Sequence, residues 1–229
     1  VSFWRNDVGR DLSARAAHLL AKTYAPLEWV WIVGDSQDTT YEALDGLLAD
    51  HPRGDLVTLL DIGVQPVPQR AVDPRMWQFS RAAQAGLNAV PSDAEHVLIH
   101  ESDIESPPDV VECLLAVEGD VVGAWPVLGD RHVFYDTWAY RGLDGDHFTN
   151  EWPYHIDAHE RHPFEVSSVG TVWRFPAAAL RQGLTCTEMG AVELCRGLRA
   201  QGYRIWCDPR LVVVQPRSTF VPQPFPVEA

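Results

Sequence analysis

Through the first half of the chain, short apolar runs alternate with segments of helical period, and this alternation narrows the fold more than any other feature. Trp29-Val30-Trp31-Ile32-Val33, Leu56-Val57-Thr58-Leu59-Leu60 and Val97-Leu98-Ile99 are continuous apolar runs of strand length, as in strands buried on both faces. Residues 2–4 read as a first strand. Residues 11–23 place Leu12, Ala16, Leu19 and Leu20 on one helical face. Residues 74–90 do the same with Phe79, Ala83, Leu87 and Val90, and Pro74 stands where a helix start tolerates proline. The pattern predicts an α/β fold: one domain over residues 1–229, with a mostly parallel central sheet flanked by crossover helices.

The second half changes character. Residues 119–127 read as a further strand, followed by a long polar segment, 129–165, that includes "RGLDGDHFTNEWPYHIDAHERHPF". Loops of that length in a compact domain are commonly functional. "VSSVGTVWRF" predicts one strand, residues 187–201 a helix, and "YRIWCDP" and "LVVV" two short strands. The tail from Pro216 carries four prolines and reads as extended chain.

A formal charge of −14 disfavours sequence-blind adhesion to nucleic acid, although enzymes bind through local fields. No run approaches eighteen apolar residues, so no membrane span is expected. No signal-peptide pattern is read at Val1, where Arg5, Asp7 and Arg10 interrupt any apolar start, and the absence of an initiator Met leaves room for an upstream segment. Cys113, Cys186, Cys195 and Cys207 form no CxxC pair, which fits reduced thiols in a cytoplasmic protein.

In sheets of this kind ligands collect beyond the carboxyl ends of the strands. Polar and acidic residues occupy those places: Arg5-Asn6-Asp7 after the first strand, Gly34-Asp35-Ser36-Gln37-Asp38 after the second, Asp61 closing the third, and Glu101-Ser102-Asp103 after the fourth. Magnesium and manganese take carboxylate and phosphate oxygens. In an extended segment, residues i and i+2 point the same way, so Glu101 and Asp103 can face one site. The plainer reading is a solvated turn before a helix opened by Pro107-Pro108 and capped by Ser106. A carboxylate at Asp35 suits a ribose hydroxyl or base N–H, while Asp38 or Ser36 equally suits a helix cap. Neither GxGxxG nor GxxxxGK[ST] is present.

Arg75 and Arg81 lie in the helix ahead of the acidic triplet, and an inward arginine there can pair with a diphosphate. Glu188 stands where the last helix begins. It can remove a proton from an acceptor hydroxyl or simply favour the helix dipole. Five of nine histidines lie between His132 and His162. His155, His159 and His162 have helical spacing but no HExxH motif, so surface histidines are expected there rather than a zinc site.

In order, these clusters resemble a nucleotide-sugar glycosyltransferase with the GT-A fold, Glu101-Ser102-Asp103 being a variant DxD motif. "RNDVGRDLSARAAHLLAKTYAPLEWVWIVGDSQDTT" is similar to the N-terminal pattern of the Anp1 group, fungal mannan polymerase subunits. "SSVGTVWRFPAAALRQG" and "TEMG" resemble its later segments, and "GYRIWCDPRLVVVQ" resembles the closing strands of family-2-like transferases. The resemblance implies a nucleotide-sugar-binding half at 1–118 and an acceptor-binding half at 119–229. It implies that Arg5, Asn6, Asp7, Asp35 and Asp61 lie at the nucleoside, Arg81 near the diphosphate, and Asp103 at a Mn2+ or Mg2+ ion. Glu101 would join the metal through water or bind the ribose, and Glu188 would be the general base, with Asp136 or Asp157 as the alternatives. Many GT-A enzymes close the metal site with a histidine after the last strand. Here "LVVVQPRS" offers Gln215, a weaker oxygen ligand.

The implied activity is metal-dependent, inverting transfer of a hexose from a UDP- or GDP-sugar to a hydroxyl acceptor. A saccharide or glycoconjugate acceptor would suit Trp125, Trp138, Trp152 and Trp173. The alternative is a bacteriophage-type enzyme acting on a hydroxymethylated pyrimidine in DNA, with the base flipped into a pocket and Arg131, Arg141 and Arg161 as a local basic track. A lesser alternative is a nucleotide-sugar-binding module without catalysis. With no anchor in the sequence, a fungal cell-wall role is not expected.

Overall fold

The computed structural model describes residues 1–5, 7–9, 11–68, 71, 73–129, 133–148 and 162–216. Strands β1 (Ser2–Trp4), β2 (Trp29–Val33) and β3 (Val57–Asp61) pair in parallel in the order β1-β2-β3. Their connections are the helices α1 (Leu12–Leu20) and α2 (Thr40–Asp50). Helix α3 (Pro74–Asn88) leads to β4 (His96–His100), and Asp73 caps α3 by accepting the amides of Arg75 and Met76 at 2.8 and 3.2 Å. The Val1 nitrogen donates to Leu98 O at 2.6 Å and the His100 amide to Val1 O at 3.0 Å, so β4 adjoins β1.

Beyond β4 the sheet is mixed. Helix α4 (Val110–Ala116) precedes β5 (Val121–Leu128), which turns into β6 (Val133–Phe134). Then come β7 (Phe164–Val166), β8 (Val172–Pro176), the short α5 (Ala178–Arg181), α6 (Gly190–Ala200) and β9 (Ile205–Gln215). The order is β4-β8-β5-β9-β7, with β8 antiparallel to both neighbours and β5 parallel to β9.

Two expectations change here. "VSSVGTVWRF" is not one strand: Thr171 takes a left-handed φ of 55°, which no strand sustains, so the segment divides between β7 and β8. The two short closing strands are one, β9. Pro209 lacks an amide to donate, but the pairing shifts from Ala124↔Asp208 to Trp125↔Val212, and the irregularity absorbs it.

Alternation along β2 explains its all-apolar sequence. Val30 and Ile32 join Ala83, Leu87, Ile99 and Trp173 on one side of the sheet. Trp29, Trp31 and Val33 join Leu19, Leu44, Leu98 and Leu114 on the other. Burial on both faces leaves only strand ends to meet a ligand. Trp125 and Trp173 are core residues, 2% and 0% exposed, and cannot stack on a sugar as the sequence suggested. Trp138 is exposed, and Trp152 lies outside the described residues. The described cysteines are free thiols. Among the described residues no helix is long and apolar enough to cross a membrane.

Candidate active site

The acidic triplet follows β4 as a turn, not as extended chain: the Ile104 amide returns to Glu101 O at 3.2 Å. Ser102 points into the protein, 5% exposed, while Glu101 and Asp103 are half-buried. Ser106 does not cap α4. Its hydroxyl pairs with His100 Nε2 at 2.7 Å, and α4 begins later, after Asp109. The segment is fixed to β9 by reciprocal 2.8 Å hydrogen bonds between Glu105 and Val214, which puts the next residue, Gln215, beside the acidic turn. Gln215 Nε2 donates to Asp103 Oδ2 at 3.1 Å, which ties the end of β9 to the acidic turn.

Behind the turn lies a residue the sequence reading passed over. Arg15, on α1, pairs with Asp7 at 2.6 Å, donates from Nε to Ser102 O at 3.0 Å, and reaches the Ser102 hydroxyl with its remaining nitrogen. The guanidinium also lies over the Trp4 ring, 5.0 Å from its centroid. One cation thus joins the end of β1 to the end of β4. Nearby, Lys22 is buried, with Nζ on Ser106 O at 3.0 Å and His18 Nε2 at 2.9 Å; burial lowers its pKa to about 8.

The carboxylates repel one another. Burial, then the charges of Asp103 and Asp136, raise the pKa of Glu101, with Arg75 opposing them. Burial raises Asp103 as well, against the pull of Arg15 and the Gln215 hydrogen bond. Asp136, in the loop after β6, is pushed by burial to about 6. A site that holds acids against their own repulsion favours a bound cation. Among the described residues no group of three or more His, Cys, Asp and Glu side chains is arranged to hold a metal by itself. Magnesium-type sites commonly need only one or two carboxylates, the remainder being phosphate oxygens and water. Glu101 and Asp103 fit that donor set.

The other candidates divide. Asp7 is buried, its Oδ2 accepting the Arg5 amide at 2.7 Å and its own amide donating to Thr40 Oγ1 at 2.8 Å; the Arg5 side chain is exposed. Asp35 is buried in a left-handed conformation, with Oδ1 on the Gln65 amide at 2.8 Å, and so joins the ends of β2 and β3. Asp61 is exposed and closes its own turn onto Gly63. Arg75 and Arg81 are both exposed on α3; Arg81 stacks on Trp77 of its own helix, whereas Arg75 carries the charge felt by Glu101 and Asp136. Glu188 is exposed ahead of α6. Glu193, in the first turn of α6, accepts the amides of Thr187, Glu188 and Met189 on its Oε2. Arg141 is half-buried and paired through its backbone with Ser168 and His147. His162 is exposed. Asn6, Arg131, His155, Asp157, His159 and Arg161 lie outside the described residues.

A parallel α/β half bearing an acidic turn after its fourth strand, continued by a mixed sheet, defines the GT-A fold. No protein-family model and no curated protein sequence matches the chain. Solved structures do. S. aureus TarS (residues 1–349) in complex with UDP superposes with a TM-score of 0.57 at 12% identity, over 94% of this chain and 59% of that one. GalNAc-T7 with UDP, GalNAc and Mn2+ gives a TM-score of 0.61 at 12% identity, over 94% of this chain and 43% of that one. The chain therefore spans about half the length of the structures it matches.

Proposed function

We propose that the protein transfers a hexose from a nucleotide diphosphate sugar, UDP- or GDP-linked, to a hydroxyl acceptor, with a Mn2+ or Mg2+ ion at Asp103 and Glu101. The observation that carries this reading is the pairing of those two carboxylates at the end of β4 in a GT-A fold. When bound, the ion neutralises the departing diphosphate as a Lewis acid. Arg15 and Gln215 set the orientation of the acidic turn. Arg75, rather than Arg81, meets the phosphate oxygens, for which a guanidinium is matched in shape. Asp35 and Asp7 lie at the nucleoside.

The acceptor oxygen displaces the diphosphate in one step with inversion, giving its proton to a carboxylate of the cleft. Glu188 is the sequence-based candidate for that proton, although its exposed position leaves room for a better enclosed acid. The acceptor class is a saccharide or glycoconjugate. No described feature favours a hydroxymethylated DNA base over it, so both enter the test. Thermal shifts with UDP-glucose, GDP-mannose and ADP-glucose, with and without manganese, come first. Product formation is then assayed on oligosaccharides and on hydroxymethylcytosine DNA. A manganese-linked shift with one donor is expected; no shift with any donor would sink the transferase reading.

A further inference from the structure

Asp136 follows β6 and precedes the turn at 137–139, where its Oδ1 accepts the Ala139 amide at 3.0 Å. Its other oxygen faces Gly170. A Cβ built on Gly170 would lie 2.2 Å from Asp136 Oδ2 and 2.5 Å from the Ala139 Cβ, so only glycine allows this approach. The next residue, Thr171, is buried, β-branched and left-handed at φ 55°, a costly conformation that persists where surrounding structure imposes it. Its carbonyl accepts the Glu101 amide at 3.0 Å. Asp136 and Glu101 thus meet successive residues of one segment, Gly170 and Thr171. The charge of Asp136 is felt at Glu101 and Tyr135, and that of Arg75 at Asp136.

We propose that Asp136 is the catalytic base for the acceptor. It takes the hydroxyl proton as the acceptor oxygen bonds to the anomeric carbon, and the bond from that carbon to the β-phosphate oxygen breaks with its electron pair leaving on the nucleotide diphosphate. The assignment rests on the transferase reading and replaces Glu188 in this role. A base must meet the acceptor beside the departing diphosphate. Asp136 is the half-buried carboxylate next to Glu101 that belongs to a different loop, whereas Glu188 is exposed.

A purely structural Asp136 would only cap the turn, and asparagine caps as well as aspartate. Asp136→Asn therefore separates the two roles. The assay is release of UDP from UDP-glucose and of GDP from GDP-mannose with manganese, beside the thermal shift produced by the same nucleotide sugar. Asp136→Asn should keep the shift and hold KM within about threefold, while kcat falls about 100-fold or more. Gly170→Ala, whose added methyl would meet that carboxylate and the Ala139 Cβ, should lower kcat in the same way. Wild-type turnover in Asp136→Asn would overturn the assignment alone. A wild-type protein with no shift would overturn the transferase reading beneath it.

Discussion

Removing the Arg15 side chain should be among the most damaging single changes outside the apolar core. Its guanidinium and the Asp7 carboxylate are 11% and 4% exposed and 2.6 Å apart. Arg15→Ala leaves Asp7 buried with the Arg5 amide on one oxygen, and leaves Ser102 without its donors. Breaking a buried pair by removing one partner costs about 3–5 kcal/mol. At about 2–4 °C per kcal/mol for a chain of this size, melting should fall by about 6–20 °C. Asp7→Asn in the same chain should recover part of the loss, since no buried charge is then left unpaired. Arg15→Lys should fall between, keeping the charge without the forked geometry. The acidic turn should also suffer. Without Arg15 the pKa of Asp103 rises further, and more manganese should be needed for the same thermal shift. Circular-dichroism melts of the three variants decide the matter. A drop under about 4 °C for Arg15→Ala would refute the reasoning, because an exposed ion pair, worth up to about 1 kcal/mol, costs no more than that.

Two further outcomes follow from the same geometry. His100 is buried, and burial, then the Lys22 charge, lowers its pKa to about 3. Because the unfolded chain takes up that proton near pH 6.5, the stability His100 contributes is complete above pH 6.5 and is lost as pH falls toward 3. His100→Gln should flatten the fall in melting temperature between pH 6.5 and pH 4; an unchanged slope would contradict the assignment. On α3, Arg75→Gln should weaken nucleotide-sugar binding about tenfold, the loss of one charge-assisted hydrogen-bonded contact. Arg81→Gln should leave calorimetric affinity unchanged, and the reverse order would return the diphosphate to Arg81.

The first half of the fold was legible because its signals are local and two-sided. Trp29–Val33 is apolar at every position, and such a run has to be buried on both faces. Leu12, Ala16, Leu19 and Leu20 fall on one helical stripe. The second half obeys longer-range rules: a left-handed Thr171 ends a strand that its sequence would continue, and a shift in pairing carries β9 past Pro209. In the site, acids beyond an apolar strand drew attention to Glu101 and Asp103, although a turn and not an extended segment brings them together. Arg15 left no comparable signal, since an arginine on a helix next to apolar residues looks like solvated charge until the packing is known. The choice between Arg75 and Arg81 depends on the rotation of α3 against the sheet, which periodicity does not give. Asp136 entered only as an alternative to Glu188, because it sits in a stretch without period and its partner Gly170 is distant in sequence.

The most direct measurement is isothermal titration of the donor nucleotide sugar into wild type and Asp103→Asn, each with manganese and with EDTA. The account predicts manganese-dependent binding in wild type and its loss in a variant that melts within a few degrees of wild type. Equal affinity in Asp103→Asn with manganese would contradict a metal-held diphosphate at the end of β4.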